Sequence, residues 1–314
     1  MMEARPLGRT GVAVSPIAFG TARWHRSGAG DLSPVLAHAV DRGISAIEME
    51  LGDDALNAAI GGVLAGAGRR GRAQLVCRLR PALPIALPSH HLSADQLWPA
   101  AGIVDQVDAA LRATGVERLA AVHVPEWCAE WLDEGEWAGA LTALVDAGKI
   151  AGFGVAAFDH DPDAMASAIA SGRIEGVQSM LNLFDQRVAA MLPALVQRGL
   201  WMVARMPFYA GGLLPEHPAM RGKRDFGDAR DISLYPQHRD ECRQRAERIA
   251  AAWPAFTADP AGAMIRHQLA MPGISTIAIG LSTRAQVDAA IASAAAGPVA
   301  MPPASVLAEA NWLG

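Results

Sequence analysis

Eight short apolar runs recur along the chain roughly every 30 residues, the spacing of a strand–helix repeat. They are Val14–Phe19, Ile44–Glu48, Leu75–Leu79, Ala120–Val124, Gly152–Ala156, Gly176–Met180, Leu200–Arg205 and Thr276–Ile279. Each is too short for a core helix and apolar on both faces, the pattern of a parallel strand covered on both sides. Helical patterns lie between them. Asp105–Arg112 gathers Val107, Ala110 and Leu111 on one face, while Ala138–Ala147 and Val188–Gln197 run into Gly148 and Gly199, residues suited to a C-cap. No Gly-x-Gly-x-x-Gly follows the first strand, which argues against an open dinucleotide-binding sheet. The expected fold is therefore α/β, a single closed (β/α)8 barrel over residues 1–314.

Hydrophobic residues make up 51% of the 314, enough to fill a large core, and net charge is −5. The basic residues form no long run, which argues against nucleic acid or an anionic membrane as partner. No apolar stretch is long enough to span a bilayer, and Met1–Gly20 lacks the apolar core of a secretion signal. Cys77, Cys128 and Cys242 are sparse and lack metal-ligand spacing, which suits the reducing cytoplasm. A small-molecule substrate is the partner this leaves. Two long loops, 80–102 and 206–240, follow strand C-terminal ends, the rim where barrel enzymes carry their active sites.

The opening RPLGRTGVAVSPIAFGTARW is similar to the start of bacterial aldo-keto reductases. Further similarities run in family order: Asp41-Arg42-Gly43-Ile44, Ala147-Gly148-Lys149-Ile150 before GFGV, VQSMLNLFDQR at 177–187, ARMPFYAGGLL at 204–214 and MPGISTIAIGLSTRAQV at 271–287. The resemblance implies a barrel floored by an N-terminal β-hairpin, a nicotinamide cofactor, usually NADPH, and carbonyl reduction at the C-terminal mouth. It also implies four catalytic side chains. A tyrosine protonates the nascent alkoxide, a lysine lowers its pKa, an aspartate pairs with the lysine, and a histidine orients the carbonyl.

Here the pattern breaks. The aspartate position is Glu48, the lysine position is Arg78, and Leu51-Gly52 stands where the family has Tyr-Gly. Only His123 keeps its family identity. The two tyrosines, Tyr209 and Tyr235, and the two lysines, Lys149 and Lys223, all lie far from the second and third strands. Catalytic candidates are thus His123, as acid–base, with Glu48 and Arg78 as a bidentate pair that orients substrate. Without the tyrosine, reduction of simple aldehydes is expected to be very slow.

The cofactor positions implied by the resemblance are also mixed. Gly20 and Thr21 end the first strand beside the cofactor, Gln178 keeps one carboxamide contact, and Arg205 replaces a nicotinamide-stacking tyrosine. Ala156-Ala157 stand where the family has Ser-Asn. Gly280, Ser282, Thr283 and Gln286 suit the adenosine-phosphate segment, and Arg284 suits a 2′-phosphate. Weakened NADP(H) binding, concentrated on the phosphate half, is the expectation. Trp24, Trp98, Trp127, Trp131 and Trp312 point to an aromatic-lined pocket. Three readings stay open: an atypical NADP(H)-linked oxidoreductase with a degenerate catalytic tetrad, a non-redox lyase, isomerase or cyclase using His123, Glu48 and Arg78, and a non-catalytic binding subunit.

Overall fold

The computed structural model describes residues 2–22, 24, 30–85, 91–159, 161–214, 216–217 and 236–309. A hairpin, β1 (Arg5–Pro6) against β2 (Ala13–Val14), precedes eight strands: β3 (Ile17–Gly20), β4 (Ala46–Glu50), β5 (Gln74–Arg78), β6 (Ala121–Trp127), β7 (Phe153–Ala157), β8 (Gly176–Met180), β9 (Trp201–Arg205) and β10 (Ile274–Ile279). These eight close into a parallel barrel in the order β10-β3-β4-β5-β6-β7-β8-β9. The (β/α)8 barrel and its N-terminal hairpin are as the apolar runs and the opening motif predict.

Apolar strand faces pack outward on the surrounding helices, where Ile47, Cys77, Val122, Val155, Val177 and Met202 join one buried shell. The helix expected at Asp105–Arg112 extends over Ala100–Thr114 and that at Ala138–Ala147 sits at Trp137–Asp146. The stretch from Val188 divides instead: a 3-10 turn, Arg187–Met191, precedes the α-helix Leu192–Arg198. Pro193 has no N–H to give a preceding turn and is tolerated only in a first turn, so the α-helix starts beside it.

The barrel floor is filled in an unusual way. Layers of branched side chains commonly pack such an interior, but Ala18, Ala46, Ala121 and Ala278 leave it wide here, and the Trp201 indole occupies it together with Leu7, Val12 and Val14 of the hairpin segment. Glycines make the room: a Cβ on Gly176 would lie 2.1 Å from the indole, and one on Gly152 would lie 3.2 Å from it. Arg5 clamps the hairpin to the barrel by donating to the Ile274 and Leu269 carbonyls, at 2.9 and 2.7 Å. The loop at 80–102 carries a short helix, Ala94–Leu97, capped by Ser93 and Gln96. The loop expected to run to 240 gives way earlier, to a helix at Pro236–Ala252.

Candidate active site

Glu48 lies midway along β4 and Arg78 ends the adjacent strand β5. The Glu48 carboxylate is buried, with Arg78 Nε 3.2 Å from Oε1. Gln178, from β8 across the barrel, donates from Nε2 to the same oxygen at 3.2 Å. The pair is direct but not the expected bidentate fork. Arg78 Nε is not aligned as a hydrogen-bond donor, and the 20% of the side chain that stays exposed faces the mouth. Gln178 Oε1 is buried with no donor among the described residues, an orphan acceptor inside the barrel.

His123 stands on β6, in register with Arg78, and is fully buried. Its Nδ1–H donates to the Cys77 carbonyl at 3.2 Å, and its Nε2 accepts from the Trp201 indole N–H at 2.9 Å. The two bonds fix a neutral tautomer with no free nitrogen. Burial pushes its pKa down to about 4, with the Arg78 charge acting in the same direction. Where the sequence reading expects an acid–base, both ring nitrogens are already bonded. The imidazole is spent joining β5 to the floor indole, because glycines on β7 and β8 let Trp201 reach it.

Sequence reasoning missed Glu126. A register shift between Val124 and Trp127 breaks the β6–β7 ladder, and Glu126 takes a left-handed φ of 52°. A bulge at a barrel rim re-aims a side chain, and such a backbone costs on the order of 1–3 kcal/mol. The carboxyl points into a cavity of about 250 Å³ lined by Glu50, Arg78, Pro81, Ile85, Glu126 and Phe158, among others. Burial raises the Glu126 pKa, against opposing pulls from Arg205 and Arg78. Pro125, which cannot donate to a ladder, was the available signal.

Among the described residues the expected aromatic lining is not formed. Trp98, Trp127 and Trp131 are buried in edge-on contact with one another and with Trp137, away from the cavity, whose aromatic side chain is Phe158. Trp312 lies outside the described residues. Tyr209 is buried with its hydroxyl 3.1 Å from His238 Nε2.

The cofactor candidates divide by location. Gly20 and Thr21 end β3, where the Thr21 N–H donates to the Glu48 carbonyl at 3.1 Å. A Cβ on Gly20 would press within 3.2 Å of the Ile279 carbonyl. Arg205 reaches past β8 to donate to the Ala157 carbonyl at 2.9 Å and pairs with Asp159. It is thus tied to the rim, beside the two alanines that replace carboxamide partners. Beyond β10, Gly280 is exposed and a helix runs over Arg284–Ala295. Thr283 caps it, and Gln286 Oε1 accepts from Ser282 N at 2.8 Å, so these two side chains serve the turn itself. The Ser282 hydroxyl has no partner, and Arg284 is exposed with no ion pair among the described residues.

A sequence model of the aldo/keto reductase family matches residues 16–299. No curated protein matches the chain. Among solved structures, aldo-keto reductase AKR11C1 from Bacillus halodurans in its holo form is 19% identical with a TM-score of 0.73, covering 98% of this chain and 95% of its own. The glycerol dehydrogenase AKR11B4 from Gluconobacter oxydans is 17% identical with a TM-score of 0.71, covering 95% of this chain and 91% of its own. These likenesses establish the fold. The family match extends across all eight barrel strands, and the chain belongs to the aldo/keto reductase family.

Proposed function

We propose that the chain, one barrel domain over residues 1–314, is an NADP(H)-linked oxidoreductase of the cytoplasm, acting on a small carbonyl or hydroxyl compound without the usual tyrosine and lysine. The observation that carries this reading is the turn after β10. It holds a Ser282 hydroxyl and an exposed Arg284 guanidinium, each without a partner among the described residues, at the N-terminus of a helix, where an anion is favoured. Ser282 and Arg284 hold the 2′-phosphate, Thr283 and Gln286 shape the turn, and Gly280 with Gly20 and Thr21 lets the dinucleotide approach the backbone. The orphan Oε1 of Gln178 accepts from the carboxamide. Bound in reduced form, the nicotinamide supplies a hydride. Arg78, anchored by Glu48, presents its exposed edge to the substrate oxygen in the cavity over β4–β7. His123 holds the strand that carries this wall and transfers no proton.

Ala156, Ala157 and the tethered Arg205 favour a second reading, a barrel that has lost the nicotinamide half and works as a non-redox enzyme or a binding subunit. Calorimetric titration with NADPH and NADH separates the two. A charge-assisted phosphate contact contributes about 1.5–3 kcal/mol, so Arg284→Ala should weaken NADPH binding about 10–100-fold and leave NADH unchanged. Ser282→Ala should weaken it less. NADPH affinity indifferent to both changes removes the phosphate anchor from the account.

A further inference from the structure

The rim of the cavity holds one carboxyl too many. Among the described residues three arginines stand there, and each is opposite its own acid: Arg78 with Glu48, Arg80 with Glu50, and Arg205 with Asp159. Glu126 is the fourth acid. It forms no hydrogen bond or ion pair among the described residues, and it is half-buried on a strained bulge that aims it at the cavity. A strained, re-aimed side chain at a barrel mouth is placed for work on a ligand, since packing alone gives no reason to hold that conformation.

We infer that Glu126 takes the place of the missing tyrosine as the proton donor at the cavity. This rests on the oxidoreductase reading above. The neighbouring groups divide the labour. Arg78 is permanently charged and gives up no proton, but it can polarise a carbonyl oxygen placed between the two side chains. A bound reduced nicotinamide would supply a hydride to the carbonyl carbon, and the C=O π pair would then move to oxygen. That oxygen takes the carboxyl proton of Glu126, leaving an alcohol and the Glu126 carboxylate. Oxidation of an alcohol runs the same transfers backwards, with the carboxylate as base.

The direction in which the Glu126 pKa moves follows from what faces it. Arg78 from β5 and Arg205 from β9 favour the charged form, and Glu50 from β4 and Asp159 beyond β7 oppose it. Both arginines are already committed to other carboxylates, so burial dominates and the pKa rises. The sign follows for stability. A raised carboxyl pKa means the native state holds the proton longer, so stability is lost as pH climbs from the ordinary glutamate value to the raised one. Glu126→Gln escapes that loss.

Two measurements on the full chain test the inference. In the first, kcat/KM for NADPH-dependent reduction of 4-nitrobenzaldehyde is followed against pH. The wild type should lose activity as pH rises through the Glu126 titration. Glu126→Gln should be about 10²–10⁴-fold slower, the usual worth of a positioned acid, with the pH limb gone, and Glu126→Asp should keep the limb. NADPH affinity should be unchanged, and Glu126→Gln should melt higher than wild type at pH 8 but not at pH 4. Wild-type rates and pH profile in Glu126→Gln overturn the inference.

The second measurement needs no turnover. In protein carrying ¹³C-carboxyl glutamate, the Glu126 resonance, assigned by its loss in Glu126→Gln, should titrate above the ordinary glutamate range. It should shift when 4-nitrobenzaldehyde is added. An ordinary pKa, or a resonance blind to the aldehyde, also overturns the inference. Absence of NADPH binding defeats the oxidoreductase reading alone, and the resonance then decides the role of Glu126.

Discussion

His123→Ala should lower the stability of the fold by about 3–5 kcal/mol, read as a fall in the urea midpoint. The change leaves the Trp201 N–H buried without its acceptor, at about 1–3 kcal/mol, removes the side-chain bond to the Cys77 carbonyl, and opens a void beside the indole. The proton linkage gives a second signature. The folded pKa of about 4 lies below the ordinary histidine value of 6.5, so the unfolded chain binds the proton first. Stability is therefore full above pH 6.5 and falls as pH drops toward 4, by an amount on the order of 3 kcal/mol. His123→Gln should flatten that slope. An alanine variant as stable as wild type, or an unchanged acid slope in the glutamine variant, contradicts the structural role. If activity were lost at full stability, a proton-transfer role for His123 would return.

Glu48→Ala should cost about as much, roughly 3–5 kcal/mol, because it leaves Arg78 and the Gln178 amide in the barrel without their acceptor. The double variant Glu48→Leu with Arg78→Met should recover most of that loss, since removing both members of a buried pair is often neutral. It should not recover function, because the guanidinium edge at the cavity has gone. Thermal melts of the two singles and the double, with 4-nitrobenzaldehyde turnover alongside, test this. A double variant that is stable and fully active would make the pair a structural relic of the family's aspartate and lysine.

Much of the fold could be read from the strand runs. A barrel strand buried on both sides must be apolar throughout, and eight such runs are hard to arrange otherwise. The positions of Glu48 and Arg78 were legible for the same reason, since each is a charged residue at or beside the end of an apolar run. The partners of His123 were not. Its bond to Trp201 joins residues 78 apart in sequence and depends on glycines at 152, 154 and 176 leaving the interior open, a property of several strands together. Tryptophan positions misled because a site after a strand end can face the outer helices as easily as the mouth. Trp98, Trp127 and Trp131 found one another and Trp137 there. Glu126 escaped because alternation along β6 assigns its side chain a direction that the bulge reverses.

We propose that redox chemistry persists on a barrel without the family's tyrosine and lysine. Its most direct test is a mass balance. Purified protein is incubated with NADPH and a panel of small aldehydes and ketones at pH 5–6 and at pH 8, and both NADPH and alcohol are quantified. The account predicts slow turnover with one NADPH consumed per alcohol formed, slower still at pH 8. A carbonyl compound transformed with no loss of NADPH, or no change in any carbonyl while the folded protein fails to bind NADPH, would contradict it.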